Sequence, residues 1–169
     1  MTMTAFKIAM FLIAFSVHSA WAEGMKVTYV TDGDTLWVQP AGGGRPVKLR
    51  LAGIDAPEIC QAGGRAARVA LASRVARRTV VVATQRHDDY GRAVATVHLD
   101  GEDMAGWMVA QGHAWSYRYG REGGPYLRLQ AQARSAQRGL FADPQALPPR
   151  LFRKRHGSCH PGGDGAGRG

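Results

Sequence analysis

Residues 26–39, KVTYVTDGDTLWVQ, are rich in Val, Thr, Tyr and Trp, and the DGD in their middle splits them into two short β segments. PAGGGRP at 40–46 makes a loop or hairpin end, and strand character resumes over 47–54, with Leu49 and Leu51 on one face and Arg50 between them. After the glycines at 63 and 64, the spacing predicts a helix over about 65–77. Its stripe is Val69, Ala72, Val75 and Ala76, with Arg74, Arg77 and Arg78 pointing elsewhere and Arg68 interrupting. TVVVATQRH (79–87) and RAVATVHL (92–99) flank DDYG and predict a hairpin with its turn at 88–91. Asp100 is placed to cap a helix over 101–111, with Met104, Trp107, Met108 and Gln111 along one face and Gly112 as its stop. A further helix opens at Pro125 and runs to Arg138, striped by Tyr126, Leu129 and Ala133 and ended by Gly139.

Three strands, a helix, two strands and two helices suit an α+β molecule built on a small closed barrel of OB type. The remaining segments bound the domain. IAMFLIAFSV (8–17) is short for a membrane span, Lys7 precedes it, and AWA (20–22) has the small-x-small cleavage form. These features predict a signal peptide over 1–22, a barrel domain over 23–143 and a basic, Pro- and Gly-rich tail over 144–169. Export to the periplasm or the medium follows, without stable membrane insertion after cleavage.

Charge and cysteines narrow the picture. The chain has 169 residues and a formal net charge of +9. Loss of Lys7 with the leader would leave +8 on 147 residues, which points to a polyanionic partner or an acidic surface. Cys60 and Cys159 are the only cysteines. In an exported chain an even count predicts an intramolecular disulfide and excludes a zinc ribbon. HGSCH (156–160) offers three soft-metal ligands but no second ligand group, and a disulfide would consume Cys159. The arginines at 65, 68, 74, 77 and 78 read better as a solvated helix face than as a nucleic-acid track.

The candidate chemistry lies at strand ends: Asp32, Asp34, Arg50, Asp55, Glu58 and Arg92. Taken singly, each has a structural reading as turn, cap or surface charge. Taken together, the acids suit a hard cation such as Ca²⁺ or Mg²⁺, and the arginines suit phosphate. Acids, cation and arginines around one phosphate would make a phosphodiesterase. The clustered carboxylates predict a loose site in the absence of metal, since two like charges about 4 Å apart repel by about 4 kcal/mol at an effective dielectric of 20.

VTDGDTLWV, VKLRLAGIDAPE and DDYGRAVATVHLDGEDMAGWMVAQGHAW resemble, in order and spacing, the staphylococcal-nuclease-like (thermonuclease) family over residues 26–141. The resemblance implies a five-stranded OB-fold barrel with three α-helices and a Ca²⁺ cofactor. It implies Asp34 and Asp55 as metal carboxylates, the Ala56 carbonyl as a further ligand, and Asp32 as an acid beside the metal. Ala56 stands where the family's founding pattern has threonine. Glu58 matches the residue that activates or orients water, and Arg50 and Arg92 match the phosphate arginines. DNA and RNA are the implied substrates of a monomeric enzyme, with 3′-phosphate products. Tyr90, Tyr117 and Tyr119 are candidates for base stacking. The rival readings are a non-catalytic OB module that binds single strands and a basic structural protein of the envelope.

Overall fold

The computed structural model describes residues 23–117 and 123–159. Strands β1 (Glu23–Val30), β2 (Thr35–Pro40) and β3 (Val47–Leu51) form an antiparallel meander, in which Thr35 stands opposite Arg50. A two-residue strand β4 (Ile54–Asp55) follows, then helix α1 (Gly64–Val75) and the hairpin β5 (Thr79–His87) and β6 (Ala93–Leu99). Closure comes from two pairings. β1 runs antiparallel to β5, and β3 runs parallel to β6 through Leu49–Ala93, Arg50–Val94 and Leu51–Ala95. Five strands therefore make the expected OB-type barrel.

Alternation fills the barrel. Val27, Leu36, Val38, Leu49, Leu51, Val80, Ala95 and Val97 are buried, while on β3 Lys48 and Arg50 alternate with the buried Leu49 and Leu51. The base is closed by α1 and by α2 (Met104–Ala110), whose Met104 and Met108 are fully buried. Helix α3 (Leu127–Ser135) lays Ala133 into a smaller cluster with Trp115 and Phe141, and Tyr126 and Leu129 against the main core.

Three local expectations need correction. The buried face of α1 is Gly64, Ala67, Leu71 and Val75, and Val69 is 66% exposed. Alanine pairs gave two stripes of similar apolarity, and Leu71 decides which one packs. Arg68 instead reaches back to β1, donating to the Val30 carbonyl at 3.0 Å and lying over the Tyr29 ring. The cap of α2 is Asp103, which accepts from the Ala105 N–H. Asp100, at φ 50°, sits with Gly101 in the tight turn that brings β7 (Glu102–Asp103) back onto β6. Finally, there are four α-helices among the described residues rather than three. Helix α4 (Pro149–His156) forms inside the basic tail, with Pro149 in its first turn and Arg153, Lys154, Arg155 and His156 in its last. Both placements suit the helix dipole and the missing proline N–H.

Candidate active site

The site grows from the ends of β2, β3 and β4. Thr35 pairs with Arg50 across the β2–β3 ladder, so the residue before Thr35 lies beside the Arg50 side chain. That residue is Asp34, and Arg50 Nη1 donates to its Oδ2 at 2.8 Å. The Leu51 N–H also bonds the Asp34 carbonyl at 2.8 Å, tying the DGD turn to the exit of β3. The chain then turns through Ala52 and Gly53, where φ is +77° and a Cβ would lie 2.6 Å from Pro125 Cγ. Glycine is required there by both conformation and space. Beyond the turn, β4 pairs with β8 (Trp115–Ser116), which fixes Asp55 opposite Trp115. Arg50 Nη2 donates to Asp55 Oδ1 and to the Ile54 carbonyl, both at 3.1 Å. One guanidinium thus gathers Asp34 and Asp55, two carboxylates 21 positions apart in sequence.

Asp34 is the most firmly held of these. Burial alone would raise its pKa, but the Arg50 charge and hydrogen bonds from the Ala56 N–H (3.1 Å) and Thr35 hydroxyl (2.8 Å) outweigh that and lower it. Asp55 goes the other way. Its pKa is raised by burial and by the Asp34 charge, against the pull of Arg153 and Arg50. Asp32 accepts from the Asp34 N–H at 3.0 Å, and burial followed by the Asp34 charge pushes it up to about 7. The Arg50 guanidinium is held charged by Asp34 and Asp55 in spite of burial.

Glu58 and Arg92 complete the cleft. Glu58 follows the bend at Pro57, and its N–H donates to Gln61 Oε1. Arg92 leaves the β5–β6 turn and is held by Asp88, with Nε to Oδ2 at 2.8 Å and the Arg92 N–H to Oδ1 at 2.9 Å. Those bonds outweigh burial and keep the Asp88 carboxyl below its ordinary range. The Arg92 guanidinium also lies over the Tyr90 ring, 5.3 Å from its centroid. Asp32, Asp34, Arg50, Ala56, Glu58, Tyr90, Arg92 and Tyr117 all line one open cleft of 1910 Å³. Small-molecule pockets span roughly 300–1,000 Å³, so the opening suits a polymer better. Tyr119 lies outside the described residues.

Cys60 and Cys159 are joined in a disulfide, as expected from the even cysteine count, with Cα atoms 5.8 Å apart. The bond seats α4 at the mouth of the cleft and brings in a residue that the sequence did not single out. Arg153 donates from Nη2 to Asp55 Oδ2 (3.0 Å), and from Nη1 to Asp55 Oδ1 (3.2 Å) and Glu58 Oε1 (2.9 Å). The loose cluster expected from carboxylate repulsion is therefore absent, because two guanidiniums span the acids. Arg153 lies six positions before Cys159 in a basic run, and that proximity was its only signal. Asp88, Thr35 and Gln61 carried none beyond ordinary turn and surface chemistry.

The donor set fits a hard divalent cation. Asp34 and Asp55 are both held by the one Arg50 guanidinium, on its Nη1 and Nη2, all candidate donors are oxygen, and the adjacent Ala56 is buried with its N–H bonded to Asp34. Among the described residues, no three His, Cys, Asp or Glu side chains stand as a preformed metal cage. The space between these carboxylates is spanned by arginine.

Residues 48–143 match the family described as Staphylococcal nuclease homologue. Protein ParB of Escherichia coli is 42% identical over 147 residues, covering 80% of this chain and 82% of the relative. An uncharacterised endonuclease of Haemophilus influenzae is 34% identical, covering 85% of this chain and 82% of its own. A micrococcal nuclease of Shigella flexneri is 35% identical, covering 80% and 83%. The matched span holds Arg50, Asp55, Glu58 and Arg92, and Asp32 and Asp34 lie before it. The chain belongs to the staphylococcal nuclease homologue family, and it is a nuclease.

Proposed function

We propose that this nuclease is an exported, monomeric, Ca²⁺-dependent phosphodiesterase that cuts DNA and RNA with little sequence preference and leaves 3′-phosphate ends. The observation that carries the reading is the convergence of Asp34 and Asp55 on Arg50, with Glu58 and Arg92 in the same cleft. Asp34, Asp55 and the Ala56 carbonyl would hold the cation, which supplies a positive charge to offset the developing charge on the phosphoryl oxygens. Glu58 takes a proton from the attacking water or orients it toward phosphorus, in line with the leaving 5′ oxygen. Arg50 and Arg92 present planar forks to the phosphate oxygens, and each is pre-positioned by a carboxylate that fixes its rotamer. Tyr90, 77% exposed beside Arg92, and Tyr117 give bases a face to stack on without reading their edges.

Export rests on the apolar stretch and cleavage pattern of residues 1–22. Among the described residues, no helix is long and apolar enough to cross a membrane. A disulfide in the domain suits an oxidising compartment.

Glu58→Gln tests the assignment of the base. The amide keeps the shape of the side chain and loses its proton-accepting charge. Turnover on single-stranded DNA is expected to fall about 10²–10⁴-fold, with Ca²⁺ and nucleic-acid binding retained. Near-normal turnover in this variant removes Glu58 from the proton-transfer role.

A further inference from the structure

Arg153 stands apart from the other basic residues of the C-terminal segment. Its guanidinium takes both oxygens of Asp55 and one of Glu58. Its side chain is 35% exposed, against 17% for Arg50, and it lines the same cleft as Arg50, Arg92 and Tyr90. A cation ligated by Asp55 meets Arg153 on the same carboxylate, and the two positive charges repel. Helix α4 itself carries no acid to receive a freed guanidinium.

The attachment of α4 keeps the residue at hand. Cys60 is two positions past Glu58, so the Cys60–Cys159 bond ties the end of this segment to the loop that bears the glutamate. At the start of the segment, Gln61 Nε2 donates to the Leu147 carbonyl at 2.6 Å. Neither tie involves the Arg153 side chain. Charge decides where the guanidinium would go. Among the acids that Arg50 and Arg153 bond directly, Asp34, Asp55 and Glu58, one negative charge is left uncompensated. Adding a divalent cation reverses the balance to one positive charge, the complement of a single phosphodiester. Without Arg153 the loaded cluster would be neutral.

We propose that Arg153 is a third phosphate arginine of this site, delivered by α4 and tethered by the disulfide. In the cation-free cleft it bridges Asp55 and Glu58; on loading it yields those carboxylates and turns to a phosphate of the bound strand. The inference rests on the reading of the cleft as a divalent-cation nuclease site.

The test uses Arg153→Ala and Arg153→Lys in the disulfide-bonded protein, with two readouts. The first is Ca²⁺ affinity by titration calorimetry without nucleic acid. Removing the competing charge is expected to tighten it about tenfold in the alanine variant. The second is kcat and KM on single-stranded DNA at saturating Ca²⁺. There kcat/KM is expected to fall about tenfold or more in the alanine variant, with part of the loss recovered by lysine. A merely structural arginine would lower the melting temperature and leave Ca²⁺ affinity and lysine rescue unmoved, which overturns the proposal. Higher kcat/KM in Arg153→Ala at saturating Ca²⁺ also overturns it, since it would make Arg153 a plug and not a substrate residue. If the unsubstituted protein neither binds Ca²⁺ nor cleaves, the functional reading falls first. If it does both and Arg153→Ala matches it in each, this inference alone fails.

Discussion

Asp32 and Asp34 are two positions apart, yet their environments drive them in opposite directions. Asp34 has Arg50, Thr35 and the Ala56 N–H; Asp32 has burial and the neighbouring Asp34 charge. With its pKa near 7 against an ordinary 3.8, folded Asp32 binds a proton more tightly than the unfolded chain does. Folding stability from this group is therefore full below about pH 4 and is lost as pH rises toward about 7. Asp34 and Asp88, held low, act with the opposite sign: their contribution is present above the ordinary carboxylate range and is lost in acid. Asp32→Asn keeps an oxygen for the Asp34 N–H and removes the titration. In chelator, the variant is expected to lose less melting temperature than the unsubstituted protein between pH 5 and pH 8. Equal losses would mean that Asp32 is not protonated in the folded state at pH 5. Residue types and order made the carboxylates and Arg50 legible in the sequence, because each sits at the end of a readable strand. The predicted Cys60–Cys159 bond draws the basic run 151–159 toward the Glu58 loop, but which of its cations reaches the acids was not legible. Nothing in a local pattern reports that bond's geometry.

At the scale of elements, the DGD turn is set by close approach. A Cβ on Gly33 would lie 2.7 Å from the Cβ atoms of both Ala56 and Ala67. The turn between β1 and β2 thus packs against the start of α1 and against the buried Ala56 at once. Gly33→Ala is expected to cost about 1–3 kcal/mol as an overpacked contact. It should also weaken cation binding by pushing Asp34 away from Asp55. Gly42→Ala is the control, because nothing lies within 4 Å of a Cβ there and its effect should stay within about 0.5 kcal/mol. Chemical denaturation of the two variants side by side gives the comparison, and equal stability would refute the packing argument. Strands were the easier elements to read. The alternation of Leu49, Arg50 and Leu51 survives into the barrel unchanged, since period-two patterning leaves only two choices of face. Helix α1 was harder: its many alanines leave several phases nearly equal, and contact with the barrel selects Ala67, Leu71 and Val75. For α2 the sequence pointed to Asp100, but that residue is taken up by the preceding tight turn and Asp103 caps the helix.

The whole molecule joins a barrel, whose strand ends place the acids and arginines, to a short helix that depends on its attachment. Eight residues make a marginal helix in isolation. The disulfide closes a loop of 99 positions, for which chain entropy gives on the order of 4–5 kcal/mol before any strain. Reduction is expected to lower the melting temperature and raise the proteolytic sensitivity of residues 149–159 while leaving the barrel folded. Unchanged melting and proteolysis would show that α4 is held by its other contacts. The fourth helix and its arginine come from a stretch of chain that the sequence pattern presents as a tail. Whether the Asp34–Asp55–Glu58 cluster works with a divalent cation on a phosphodiester is decided by incubating the disulfide-bonded protein with single-stranded DNA in chelator, then with excess Ca²⁺, and following strand length. Cleavage should be absent in chelator and restored by Ca²⁺, with 3′-phosphate ends on the products. Rapid cleavage in chelator, or intact DNA after Ca²⁺ is restored, would contradict the claim.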